Sequence, residues 1–300
     1  MASDPRIYIS VLDEAHLTPD QAALKRAILE AVRKQGFDLQ IFHEAGTPAN
    51  QGWNFSNANS LMSHCHGAVI LAFAKWHHAN LANGITADLP SEFNHFEGGL
   101  AVAHDVPTLL ITDPTVRTGG ITYEGGGRRI YFWPSDRGAD WVNSDNFGQY
   151  LSEWASAVRA RRKVFLGYCS AAKTTADALT NYVEQTHNTE VVNYVTDFRP
   201  GRTILEEIEA AEKQCAVGVF LFTNDDQFVG TETYAAPRDN VVFEAGYFTR
   251  AKGKDRVLII REEGAKMLAD LGGVIYLPLK DRTDIGSVKA QIRRFLDDNL

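Results

Sequence analysis

Two glutamates stand in surroundings where carboxylates are least expected. Glu244 lies between Phe243 and Ala245 in PRDNVVFEAGYF at 237–248, and Glu97 lies between Phe96 and Gly98-Gly99 in PSEFNHFEGG at 90–99. Surface helices turn their charges away from the core. A carboxylate in apolar company is therefore either a half-exposed, salt-bridged group or one facing a ligand crevice. In an open α/β sheet that crevice lies at the carboxyl ends of the strands. Asp239 or Asn240 offers an N-cap for the helix that carries Glu244, with Pro237 just ahead. A second cluster, Asp197-Phe198-Arg199-Pro200-Gly201-Arg202-Thr203, brings an aromatic ring and two guanidiniums to a helix start. Pro-Gly forces a turn, and Thr203 with Glu206 makes a capping box. Such a loop suits a nucleotide, with Phe198 stacked on a ring and Arg199 and Arg202 on a pyrophosphate. A well-capped turn with solvated arginines is the plainer alternative. After Tyr168 the chain runs Cys169-Ser170-Ala171-Ala172, short and small enough for a ligand to approach the backbone.

These residues need a scaffold, and the punctuation of the chain supplies one twice. In the first half, strand-like runs at Arg6–Leu12, Phe37–Phe42, Ala68–Phe73 and Thr108–Thr112 alternate with helical patterns at Asp20–Lys34 and around Phe96–Ala103. The second half repeats the order. Strands at Lys163–Cys169, Glu190–Val195, Val217–Thr223 and Arg256–Ile260 alternate with helices at Thr174–Thr186, Thr203–Lys213, Asn240–Arg250 and Ile285–Leu296. Runs apolar on both faces belong inside a parallel sheet covered by helices. The expected fold is α/β: two tandem doubly wound parallel-sheet domains of flavodoxin or Rossmann type, spanning 1–160 and 163–300. Three matches in the same order indicate an internal duplication. CHGAVILAF at 65–73 matches CAVGVFLFT at 215–223, FEGGL at 96–100 matches FEAGY at 243–247, and IYFWP at 130–134 matches IYLP at 275–278.

Composition narrows the function. The 300 residues carry 30 basic and 38 acidic side chains, a net charge of −8 that disfavours a non-specific nucleic-acid binder. No basic segment precedes a long apolar one at the N-terminus, and the longest apolar runs fall far short of a membrane span. Three scattered cysteines make no disulfide framework, so a reducing cytoplasm is the expected location. Neither GxGxxG after a first strand nor GxxxxGK[ST] occurs, so hydride and P-loop phosphoryl transfer lack their glycine scaffolds. Histidines 64, 66, 77, 78, 95 and 104 form no HExxH pattern, and no metal site is expected.

Residues 163–300 resemble the bacterial TIR-like family, relatives of Toll/interleukin-1 receptor domains that act as NAD⁺-cleaving effectors in cyclic-nucleotide-triggered antiphage defence. The resemblance is carried by VFLGYCS at 164–170, DFRPGRT at 197–203, VFLFTNDD at 219–226, PRDNVVFEAGYF at 237–248 and IYLP at 275–278. It implies an NAD⁺ nucleosidase that takes NAD⁺ as substrate and needs no cofactor, with Glu244 as the catalytic glutamate. Asp239 and Asn240 would position that glutamate or touch the ribose, and Cys169, Ser170, Phe198, Arg199, Arg202 and Asp225 would bind the dinucleotide. The chemistry agrees, because nicotinamide leaves from an already cationic nitrogen and needs no general acid. One carboxylate suffices to stabilise the oxocarbenium-like ribose, whereas ordinary glycosidases pair two.

The first half resembles the same superfamily more loosely, and its FEGGLAVAHDVPTLLI at 96–111 also resembles nucleoside 2-deoxyribosyltransferases. It replaces Arg-Asp-Asn before the glutamate with Glu92-Phe93-Asn94-His95, and His43-Glu-Ala-Gly-Thr-Pro48 takes the place of the arginine loop. Glu97 with Asn94 is thus a possible second site. This half is expected to read a signalling nucleotide or an activating protein, with homo-oligomers forming on activation. The alternatives are N-glycosidase or deoxyribosyltransferase chemistry through Glu97, and a non-catalytic nucleotide sensor.

Overall fold

The computed structural model describes residues 4–42, 53–80, 84–124, 129–193, 197–198, 201–227, 235–266 and 276–300. The chain divides into two compact units on either side of Arg159 and Ala160.

In the first unit β1 (Arg6–Ser10) leads to α1 (Pro19–Lys34), then β2 (Asp38–Ile41), α2 (Phe55–Ser63) and β3 (Gly67–Ala72). A hairpin of β4 (Ala74–Asn80) and β5 (Thr86–Pro90) precedes α3 (Glu92–Ala103), followed by β6 (Thr108–Thr112), β7 (Ile130–Phe132) and α4 (Asp145–Ala160). Thr18 caps α1 in a reciprocal box with Gln21, Pro19 opens the first turn, and Gly36 leaves it with φ +78°. The sheet order is β2-β1-β3-β6-β7, parallel throughout.

The second unit begins with β8 (Lys163–Gly167) and continues through α5 (Lys173–His187), β9 (Val191–Val192), α6 (Ile204–Gln214) and β10 (Cys215–Phe222). After the short pair β11 (Asp226–Gln227) and β12 (Ala235–Ala236) come α7 (Asp239–Lys252), β13 (Val257–Glu262), β14 (Tyr276–Leu279) and α8 (Lys289–Asn299). Its parallel sheet runs β14-β13-β10-β8-β9.

Read in chain order along each parallel sheet, both units have the strand sequence 2-1-3-4-5 of flavodoxin-like folds. Both are α/β with doubly wound sheets. The central strands β3 and β10 are buried along their whole length, because helices cover both faces. Core side chains of the second unit, among them Phe165, Phe220, Val241 and Phe248, pack α7 onto β8 and β10. No described helix is long and apolar enough to cross a membrane.

The last helix begins at Lys289 rather than Ile285, and among the described residues β9 covers only Val191–Val192 of the expected 190–195 strand. Two further features differ from the sequence reading. The β4–β5 hairpin was not expected, because AKWHHAN has no regular apolar alternation and only Ala74 within it is buried. The α7 N-cap is Arg238, which makes no side-chain capping bond, and Asp239 already lies inside the helix. There Asp239 stabilises the first turn through its charge rather than as a cap.

Candidate active site

The strand order of the second unit reverses between β8 and β10, the place where open α/β sheets take ligands. A cavity of about 320 Å³ opens there, within the range of about 300–1,000 Å³ seen for small-molecule sites. The end of β8 contributes Tyr168, Cys169 and Ser170, the next loop and helix contribute Phe198 and Ile204, and the start of α7 contributes Arg238, Asn240, Val241 and Glu244.

Glu244 is the chemical centre of this cavity. Its residue is 4% exposed, and its Oε2 has no hydrogen-bond partner among the described residues. Burial alone pushes its carboxyl pKa up to about 7, since charge is disfavoured where water is excluded. The carboxylate lies over the backbone of β8: a Cβ at Gly167 would sit 2.7 Å from Oε2. Phe198 is held by stacking at 6.5 Å on Phe165, which itself stacks at 4.7 Å on Phe248. Arg238 pairs with Asp226 at 3.2 Å and is half exposed. The Cys169 thiol lies 3.6 Å from Thr223 Oγ1, and burial pushes its pKa up, so it is a neutral wall rather than a thiolate.

The cavity thus brings together Glu244, Asn240, Cys169, Ser170 and Phe198. Asp239 is exposed on the first turn of α7 and is absent from the cavity lining. Arg202 lies outside it too, paired with buried Glu207 at 3.4 Å. Asp225 turns inward: its side chain is 1% exposed, accepts from Thr223 Oγ1 at 2.8 Å and lies 3.7 Å from Arg282. Arg282 in turn binds Glu262 through two nitrogens and the carbonyl of Asn224. Asp225 therefore braces the loop after β10 rather than facing the cavity. Arg199 lies outside the described residues, as does the 43–48 loop. Sequence reasoning did not assign Ile204, Arg238 or Val241 to the site, and reached Tyr168 only as the start of the short loop after β8. Val241 was legible in principle, one helical turn before Glu244 on the same face.

The first unit treats its glutamate differently. Glu97 Oε1 accepts hydrogen bonds from Tyr8 Oη at 2.8 Å and from Trp53 Nε1 at 2.9 Å. Asn94 Nδ2 donates to Ser10 Oγ at 2.8 Å. Burial and the adjacent carboxylate push the Tyr8 phenol far above its ordinary pKa, keeping it a donor.

A flavodoxin-like domain with a desolvated glutamate at its switch point defines a class of α/β ligand-crevice domain, and its sequence is similar to that of known proteins. Residues 163–281 match the family model for the CAP12/Pycsar effector protein TIR domain. The Pycsar effector protein BcPycTIR of Burkholderia cepacia is 39% identical over 85 residues, which are 27% of this chain and 28% of that protein. CD-NTase-associated protein 12 of Flavobacterium daejeonense is 31% identical over 90 residues, 28% of this chain and 29% of that one. The uncharacterised protein YuaY of Escherichia coli K12 is 34% identical over 83 residues, 27% of this chain and 28% of that one. The chain thus spans under a third of the length of these relatives.

Proposed function

We propose that the second unit hydrolyses the N-glycosidic bond of NAD⁺, releasing nicotinamide, and that the protein acts as an effector of bacterial antiphage defence. The observation that carries this reading is the buried carboxylate of Glu244, whose Oε2 has no hydrogen-bond partner among the described residues, in a cavity at the switch point. The match of residues 163–281 to the CAP12/Pycsar effector TIR model supports it.

In this mechanism Glu244 accepts from the ribose hydroxyls and stabilises the positive charge that develops on the sugar as the ring departs. Water is largely excluded from the carboxylate, so its field acts with little screening. The pyridinium ring leaves as neutral nicotinamide, and water then attacks the anomeric carbon. Phe198 offers an aromatic face for stacking, and Asn240 a side-chain amide for the ribose. Arg238, on the rim, is the described cation placed to meet a phosphate. Glu244 works only when ionised, so substrate must arrive with the carboxyl deprotonated or expel its proton.

The first unit would gate this activity, by taking a signalling nucleotide or an activating protein and driving homo-oligomerisation in the cytoplasm. The relatives named as CD-NTase-associated and Pycsar effector proteins support that role. Catalysis through Glu97 is the weaker reading, because Tyr8 and Trp53 already occupy Glu97 Oε1.

Incubating wild type, Glu244→Gln and Glu97→Gln with NAD⁺ and a panel of cyclic nucleotides, while following nicotinamide and particle size, tests the proposal. Release is expected from wild type and Glu97→Gln, with loss of at least a hundredfold in Glu244→Gln. Equal release from wild type and Glu244→Gln would overturn the assignment. A signal that leaves both release and size unchanged would count against gating.

A further inference from the structure

The strand registers decide which residues of the two units correspond. In the first unit Tyr8 pairs with Ala68 and Ser10 with Ile70. In the second, Phe165 pairs with Gly218 and Gly167 with Phe220. Ala68 and Gly218 hold the same place in the repeated 65–73 and 215–223 stretches, as do Ile70 and Phe220. Tyr8 therefore stands where Phe165 stands, and Ser10 where Gly167 stands. On the following helices Glu97 corresponds to Glu244, and Asn94 to Val241.

All the substitutions around the glutamate run in one direction. In the first unit a phenol donates to the carboxylate and an amide donates to a hydroxyl beside it. In the second, the same places hold a phenyl ring, a hydrogen atom and an isopropyl group. Gly167 also answers a steric demand: a Cβ there would lie 2.7 Å from Glu244 Oε2 and 2.5 Å from Phe220 Cδ1. Real Cβ atoms do not approach so closely, so any larger residue at 167 displaces the carboxylate or the ring.

We propose that Phe165 and Gly167 are positioning residues: they leave the Glu244 carboxylate unbound within the protein and free to meet a ligand, whereas Tyr8 holds the duplicate glutamate in a satisfied, inert state and Ser10 binds Asn94 one helical turn before it. The inference rests on Glu244 being the group that meets substrate, and extends that reading to two residues that never need touch it. At these two strand positions the units differ by one hydroxyl and, two residues later, by one hydroxymethyl group. A phenol at 165 would donate to Glu244 as Tyr8 does to Glu97, and a donor to the ionised carboxylate favours that form. The other titratable side chains lining the cavity are Tyr168, Cys169 and Arg238, and Phe165→Tyr removes none of them.

The test is the titration of Glu244 in the 300-residue chain, read by carboxyl carbon NMR and assigned by its loss in Glu244→Gln. Phe165→Tyr is expected to lower the midpoint by at least one pH unit from its wild-type value near 7, and Phe165→Leu to leave it in place. NAD⁺ cleavage is expected to fall at least tenfold in kcat for Phe165→Tyr and for Gly167→Ala, with a smaller change in KM. A folded Phe165→Tyr variant with an unmoved midpoint would overturn the inference whatever its activity. A lowered midpoint in a protein whose wild type never releases nicotinamide would uphold the positioning role and remove the proposed reaction instead. Should Phe165→Tyr not fold, Tyr8→Phe reads the same contact in reverse. The Glu97 midpoint is then expected to rise, and an unchanged value would contradict the proposal.

Discussion

A carboxylate buried without a partner is held against the preference of the fold, and at Glu244 the cost has a definite pH dependence. Its ordinary pKa of 4.5 rises to about 7 in the folded chain, so the native state prefers the protonated form. Below pH 4.5 both folded and unfolded chains hold the proton and no penalty arises. Above pH 7 the folded chain carries a charge that the unfolded chain solvates better, a difference of about 3 kcal/mol. Glu244→Gln is accordingly expected to stabilise the second unit by about 3 kcal/mol at pH 8, shrinking to a few tenths at pH 4.5. Denaturant unfolding at the two pH values measures this, and a variant no more stable than wild type at pH 8 would contradict it. Stability given up at one side chain is a common mark of a functional site. Glu97, with hydroxyl and indole donors on one oxygen, is satisfied within its own unit.

At the scale of elements, α7 holds the site at its first two turns, yet its N-terminus is left without a side-chain cap. Arg238 occupies the cap position, lines the cavity and pairs its guanidinium with Asp226. A serine at 238 would bond a free N–H of the first turn and stabilise the helix by about 1 kcal/mol, while the surface ion pair it removes contributes less. Arg238→Ser is therefore expected to raise Tm by a few degrees and to raise KM for a phosphate-bearing ligand. Thermal melts and ligand titrations together check this; a lowered Tm with unchanged KM would contradict it. The neighbouring α6, by contrast, has its full box of Thr203 and Glu206, and that box was legible because its two partners are three residues apart. The doubly apolar strands β3 and β10 were legible for the same reason, since burial on both faces is written into consecutive residues. The β4–β5 hairpin was not, because its exposed residues carry no burial pattern. Nor was the role of Asp225, whose partner Arg282 is supplied by a distant turn, or the bond from Trp53 to Glu97, made across 44 positions. Spacing along the chain reveals local contacts; contacts closed by tertiary packing leave no such trace.

For the whole molecule, the shared strand order of the two units sets a satisfied and an unsatisfied version of the same node in one chain. Each unit has its own five-stranded parallel sheet and its own buried core, which is the condition for independent folding. Residues 160–300 expressed alone are expected to unfold in a single cooperative transition with native helical circular dichroism. A gradual, non-cooperative melt would show that the unit depends on the rest of the chain. The same fragment would separate catalysis from control: NAD⁺ cleavage without response to any nucleotide signal is expected if control resides in residues 4–159. The most direct measurement is nicotinamide release from NAD⁺ by the 300-residue chain in its activated state, followed between about pH 5.5 and 8.5. A kcat/KM that falls away below about pH 7, as Glu244 takes up its proton, and that vanishes at every pH in Glu244→Gln, is the predicted result; release that is independent of pH and of residue 244 would contradict the account.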